Sequence, residues 1–268
     1  MKKLLTVVLF VCAFSFLKAG GKREDGVDRS LEKIKESGVF VLGLDDSFPP
    51  MGFRDDNNNI AGYDIDLAKE VCRRLGVELK CQPIDWAAKE QELNTGKIDC
   101  IWNGFTMTPE REKALNFTKP YLDNAQVVIV RADSGFKTLS DLKGKTVGLQ
   151  AGSSASDALD ANEAFKSSLK GVVEFKDNLT AFMDLEIKGV DAVIMDMVVG
   201  NYSIKTTGKP FTVLGEHLAS EKYGVGFRKN DQALRDAVQK ALEDMASDGT
   251  IAVISIKWFN TDISVVGK

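Results

Sequence analysis

Short apolar runs of strand length alternate with amphipathic stretches of helix length along almost the whole chain, and that alternation confines it to the α/β class. Val39–Leu44 (VFVLGL) reads as a buried strand. Over residues 64–75, Ile65, Ala68, Cys72 and Leu75 share one helical face, and Gly76 stops the helix. Residues 77–84 alternate as a strand, 87–94 read as a helix, and 99–102 as the next strand. Thr108 before Pro109 is a helix start, a capping hydroxyl ahead of a proline at the first helical position. Strands following helices in this rhythm predict helices packed on a central sheet.

After Tyr121 a second series begins. Strands are predicted over 126–131, 146–150, 172–175 and 191–195, with helices over 153–164 and 180–188. A strand over 223–227 follows, then a helix opened by Asp231, with Leu234, Val238, Leu242 and Met245 on one face and Gly249 closing it. The final helix ends at Trp258 and Phe259, and His217 falls in a predicted loop. The two series echo each other: LNTGKIDCIW from Leu93 and LEIKGVDAVI from Leu185 both run a helix past a glycine into a strand beginning Ile/Val-Asp. A length of 268 residues suits one large domain or two lobes of about 100 residues each.

The first residues are not part of that pattern. Lys2 and Lys3 precede an apolar run of 14 residues, Leu4 to Leu17, which is short of the roughly 20 a membrane span needs. Ala19, Gly20 and Gly21 then supply small residues before a charged stretch, so residues 1–21 are expected to be a secretory signal peptide, with a membrane anchor as the alternative. Lipidation of Cys12 is not expected, because Val11 precedes it where processing wants a small residue. Loss of Lys2, Lys3 and Lys18 lowers the basic residues from 35 to 32 against 39 acidic ones, a net charge of −7. Without a basic stripe, nucleic acid and anionic membrane surfaces are poor partners. Export permits a disulfide, and Cys72 with Cys81 is the pair that could meet; the alternative is three buried thiols at Cys72, Cys81 and Cys100.

Catalysis is hard to assemble from these residues. The only histidine is His217, no serine sits in a nucleophile elbow, and no metal-ligand spacing occurs, so neither metal nor cofactor is expected. Binding is easier, because strand ends in open α/β sheets face clefts. At the predicted strand ends stand Asp45 with Phe48, then Trp86, then Asn103, Gly104 and Thr106, then Gln150 with Ser153 and Ser154, and finally Asp196. Carboxylates, aromatics, a glycine-hydroxyl loop and a helix N-terminus are the groups that a free amino acid requires of its receptor.

The chain resembles the periplasmic polar-amino-acid-binding proteins of ABC importers, the family of the glutamine, histidine and lysine/arginine/ornithine binders. The resemblance runs from about Leu31 to Phe259. It is carried by VLGLDDSFPPMGF from Val41, GYDIDLA from Gly62, GKIDC from Gly96 and GFTMTPER ending at Arg111. LSDLKGKTVGLQAGSS from Leu139 and GTIAVISIKWF from Gly249 complete it. It implies a type II periplasmic-binding-protein fold with a ligand cleft between two lobes. One lobe is expected to hold residues 31–120 plus 224–268 and the other 125–219, with hinge crossings near residues 121–124 and 219–223. It also implies a soluble, monomeric periplasmic protein that closes on a free L-amino acid and delivers it to an ABC permease.

By the same resemblance, Arg111 clamps the ligand carboxylate, Thr106 and the Gly104 backbone share carboxylate and ammonium, and Ser154 offers a helix N-terminal N–H. Asp196 pairs with the α-ammonium, while Phe48 and Trp86 sandwich the side chain. Gln150 stands where the glutamine binder has a lysine, and Trp86 where it has a phenylalanine. Asp45 is then left without a cationic neighbour, which favours a cationic ligand, arginine or lysine; glutamine, histidine and cystine are the alternatives. Two other functions share the scaffold: an enzyme of the cyclohexadienyl-dehydratase type, which retention of Arg111 and Asp196 opposes, and a ligand-sensing module acting through a separate partner.

Overall fold

The computed structural model describes residues 27–268, so the predicted signal over residues 1–21 lies outside the described residues. In chain order, the first series comprises α1 (Ser30–Ser37), β1 (Val39–Leu44), β2 (Ser47–Phe48), β3 (Gly52–Arg54), β4 (Ile60–Ala61), α2 (Tyr63–Leu75) and β5 (Glu78–Pro83). It continues with a 3-10 turn (Trp86–Ala88), α3 (Lys89–Asn94), β6 (Cys100–Ile101), α4 (Pro109–Ala114) and β7 (Leu115–Phe117). The second series holds β8 (Leu122–Arg131), β9 (Thr146–Gln150), α5 (Ser154–Ala161), α6 (Glu163–Ser168), β10 (Gly171–Phe175), α7 (Asn178–Glu186), β11 (Ala192–Asp196), α8 (Met197–Thr207) and β12 (Phe211–Tyr223). The chain ends with β13 (Gly226–Arg228), α9 (Gln232–Ser247) and α10 (Thr250–Phe259).

Two five-stranded sheets result, one per lobe. The first runs β5-β1-β6-β13-β7 and the second β10-β9-β11-β8-β12. β1 pairs parallel with β5 and β6, and β9 with β10 and β11, while β8, with its long apolar run, lies antiparallel between β11 and β12. Helices covering both faces explain why such strands read as unbroken Val/Ile/Leu runs. The last two helices return to the first lobe. There Arg74 on α2 bonds Asp248 at 2.7 Å, and Lys257 and Trp258 on α10 bond Asp66 at 2.6 and 2.9 Å.

The chain leaves the first sheet after β7 and rejoins it at β13. The two connecting segments lie side by side, because the start of β8 pairs antiparallel with the end of β12, Leu122 opposite Tyr223 and Asn124 opposite Glu221. The Tyr121 N–H donates to the Tyr223 carbonyl at 2.9 Å. Both tyrosines are fully buried, their ring centroids 6.3 Å apart.

Several expectations are corrected. The helix expected over 153–164 breaks at Asn162, whose amide nitrogen donates to the Ala158 and Leu218 carbonyls, so α6 starts as a separate helix. His217 is exposed in β12, where the register slips on either side of it, and not in a loop. That edge strand lacks clean alternation, which hid it. The strand expected over 223–227 is interrupted at residues 224–225, and Gly249, at φ +84°, starts α10 after α9 has ended at Ser247. Cys72, Cys81 and Cys100 are free thiols, so the candidate bridge between Cys72 and Cys81 is not formed. Cys81 and Cys100 flank Leu42 from opposite sides in the sheet, and burial pushes the Cys72 thiol up to about 12.

Candidate functional site

One wall of the cleft comes from the first lobe. Asp45 follows the end of β1 and is 7 % exposed. Its Oδ1 accepts the Ser47 N–H at 2.9 Å, and its own N–H donates to Asn103 Oδ1 at 3.0 Å. Asn103 is buried, and its Nδ2 lacks a partner among the described residues. Gly104 has φ +58°, and a Cβ there would sit 2.8 Å from the Phe48 ring, so only glycine fits the turn against that aromatic. The Gly104 N–H is committed to the buried Asp64 carboxylate at 2.7 Å, which leaves its carbonyl as the backbone group it can offer a ligand. Trp86 is buried, edge-on to Phe105 at 5.8 Å, with the Lys89 ammonium 5.3 Å from its ring centre.

Arg111 is positioned by the helix start read in the sequence. Thr108 caps α4 by accepting the Arg111 N–H at 3.2 Å, and Pro109 opens the helix. The guanidinium then lies 4.8 Å from the Phe105 ring centre and donates to the Thr106 carbonyl at 3.1 Å. Burial depresses its pKa, and the carboxylates of Glu90, Asp157, Glu221 and Asp196 act against that shift.

The second wall holds Gln150 at the end of β9, Ser153 and Ser154 at the start of α5, and Asp196 at the end of β11, all buried. Ser153 Oγ donates to the Gln150 carbonyl at 2.7 Å. Asp196 Oδ1 accepts from Tyr223 Oη and from Asn124 Nδ2, each at 2.7 Å.

The walls touch. Gln150 Nε2 donates to Asp45 Oδ2 at 2.7 Å, Ser154 Oγ to Thr106 Oγ1 at 3.1 Å, and Arg111 and Lys89 to the Gly152 carbonyl at 3.2 and 2.8 Å. The lobes are therefore in a closed arrangement around these side chains. Of the eleven residues singled out in the sequence, Asp45, Thr106, Arg111, Gln150 and Ser154 make these contacts; Asn103 bonds Asp45, Ser153 bonds Gln150, Phe48 lies against Gly104, Asp196 bonds Tyr223, and the ring partner of Trp86 is Phe105.

Sequence reasoning missed a second group. Lys89 is nearly buried, and burial lowers its ammonium to about 8, with the Arg111 charge adding to the effect. Asn178 Nδ2 donates to Gln150 Oε1 at 3.1 Å. Asn124, Gln126, Glu221 and Tyr223 come from the hinge strands and surround Asp196. The available signal was three polar side chains, Asn124, Glu221 and Tyr223, on segments already expected to cross between lobes; Gln126 lies just past the first crossing, in an expected strand.

The buried acids set a pH dependence of stability. Burial raises Asp64 to about 7 and Asp45 to about 6, hydrogen bonds opposing it in both; Asp196 is raised by burial and then by Glu221. Raised acids contribute stability that is complete below their unfolded value near 4 and lost as pH climbs through 6 to 7. Glu70 and Asp248, both held at about 2 chiefly by hydrogen bonds, act oppositely and lose their contribution only in strong acid. The ligand-free protein is therefore expected to be most heat-resistant at about pH 5 and less so at pH 8. Scanning calorimetry across that range tests this, and a midpoint that rises from pH 5 to 8 contradicts it.

Comparisons with known proteins agree with this architecture. The family model for bacterial extracellular solute-binding proteins, family 3, matches residues 40–261. The L-cystine-binding protein TcyJ of Escherichia coli (strain K12) is 32 % identical over 238 residues, covering 87 % of each chain. ABC transporter arginine-binding protein 1 of the same strain is 32 % identical over 224 residues, covering 81 % of this chain and 89 % of its own. Among solved structures, an ABC uptake transporter substrate-binding protein from Streptococcus pneumoniae with bound histidine superposes with a TM-score of 0.86 at 36 % identity. That match covers 89 % of this chain and 98 % of the other.

Proposed function

Since this chain belongs to the bacterial extracellular solute-binding proteins of family 3, we propose that it captures a free polar amino acid outside the cytoplasm by hinge closure and presents it to an ABC permease. The observation that carries this reading is the charge layout of the seam. A half-buried guanidinium at Arg111 lies within the electrostatic reach of the buried Asp196 and of Glu221. That is the mirror image of a zwitterion: a planar fork for the carboxylate and anionic acceptors for the ammonium. The two moving bodies are residues 31–120 with 224–268, and 125–219. A ligand touching both favours the closed form by its differential contacts.

Asp45 supports a ligand with a cationic side chain, arginine or lysine. Both of its oxygens take hydrogen bonds, from Ser47 and Gln150, but neither partner carries charge. A guanidinium or ammonium would neutralise it. Isothermal titration of the purified, processed protein with each amino acid and with L-cystine tests the reading, together with small-angle scattering with and without ligand. Heat from an amino acid and a more compact particle are expected. No heat from any of them removes the amino-acid reading, whereas preference for a neutral amino acid removes only the cationic assignment.

A further inference from the structure

The ammonium side of the cleft carries a second carboxylate. Glu221, half-buried on β12, accepts through Oε2 from Thr106 Oγ1 at 3.1 Å and from Asn124 Nδ2 and Gln126 Nε2, each at 3.0 Å. Asn124 Nδ2 also donates to Asp196 Oδ1 at 2.7 Å. A single amide nitrogen thus binds one oxygen of each acid, and its two bonds of 2.7 and 3.0 Å cap the separation of those oxygens at 5.7 Å.

A second observation points the same way. Gln126 is 0 % exposed, and its Nε2 is shared between Ser154 Oγ and Glu221, yet its Oε1 has no donor among the described residues. A buried amide oxygen without a donor is costly. This corner therefore holds acceptors in excess: Asp196, Glu221 and Gln126 Oε1. The groups facing it are Tyr223 from β12, Asn124 and Gln126 from β8, Thr106 and Ser154 across the seam, and Arg111 from α4. Arg111 already donates to the Thr106 and Gly152 carbonyls. On the solvent side, Glu221 lines a cavity with Glu112, Asp123 and Lys222, the last two paired with each other at 3.2 Å.

We propose that Glu221 is a second anionic ligand of the substrate's primary ammonium, and that the neighbouring Asp196 carboxyl holds a proton in the empty protein, which leaves to bulk water as the ammonium enters. The inference rests on the amino-acid reading above. An R–NH3+ group has three N–H donors, one each for Asp196, Glu221 and Gln126 Oε1. The rise of the Asp196 carboxyl, by burial and then by Glu221, supports a proton held on Asp196 near neutral pH.

The test is calorimetric titration of the processed protein with L-arginine, and with L-cystine, between pH 6 and 8 in buffers of different ionisation enthalpy. Wild type is expected to release about one proton per ligand at the acid end, and its affinity to fall by up to about tenfold per pH unit below neutrality. Glu221→Gln is expected to bind about 10- to 100-fold more weakly and to release less proton than wild type at the same pH, because burial still raises Asp196 while the Glu221 charge no longer does. Asp45 is unchanged in the variant, so its own titration contributes equally to both proteins. A wild type that exchanges no proton in this range overturns the proposal without any variant. So does a Glu221→Gln protein that matches wild type in affinity and proton count. No heat from any amino acid at any pH overturns the parent reading, and this inference with it.

Discussion

Replacing Arg111 with alanine is expected to abolish measurable binding of every amino acid, whatever its side chain. The Arg111 side chain is 10 % exposed, and its guanidinium lies 4.8 Å from the Phe105 ring centre and donates to the Thr106 carbonyl. A ligand carboxylate entering this cleft loses its water, and without Arg111 no equivalent fork replaces it. Removing one partner of a buried charge pair costs about 3–5 kcal/mol, which corresponds to roughly 150- to 4,000-fold in affinity. Arg111 also donates to Gly152 across the seam at 3.2 Å, so its loss weakens closure as well. Lysine at this position is expected to recover only part of the affinity, because a point charge does not offer two parallel N–H donors. Titration calorimetry on variants with wild-type melting curves checks this. Undiminished binding by Arg111→Ala would remove the residue from the site.

Replacing Asp45 with asparagine separates ligand classes. The carboxylate accepts from Ser47 and Gln150, and asparagine keeps the shape while discarding the charge. Loss of one charge-assisted contact in a dry pocket costs about 2–3 kcal/mol, or roughly 30- to 150-fold in affinity. That loss is expected for arginine and lysine, with glutamine and cystine much less affected. Burial raises Asp45 to about 6, so the advantage of cationic ligands in wild type is expected to shrink as pH falls from 7 to 5 and the carboxylate takes up a proton. Equal effects of Asp45→Asn on cationic and neutral ligands would remove Asp45 as the specificity group.

The periodic segments were legible because their signal is local. The face shared by Ile65, Ala68 and Cys72 is buried in α2, and Thr108 with Pro109 starts α4 where the capping chemistry requires. Segments without such a signal were not legible. The helix Ser30–Ser37 buries only Ser30 and Ile34, and β12 is an edge strand with much of its length exposed. The break at Asn162 depends on a bond to the Leu218 carbonyl, a residue 56 positions away.

The site divides along the same line. Strand ends and helix starts are sequence features, so Asp45, Gly104, Arg111, Gln150, Ser154 and Asp196 could be named before any coordinates, and the order of their motifs carried the family. What each side chain meets was decided only by the tertiary structure. Gln150 bonds Asp45 across 105 positions, Thr106 bonds Glu221 across 115, and Asp64 takes the Gly104 N–H across 40. The physical reason is range. Capping and hydrophobic periodicity act over one or two turns of chain, whereas the charge state and partner of a buried acid depend on which distant strand the fold lays beside it. The pairing of β8 with β12 brings Asn124, Gln126 and Glu221 to Asp196, and nothing in the local sequence of any one of them specifies that neighbour.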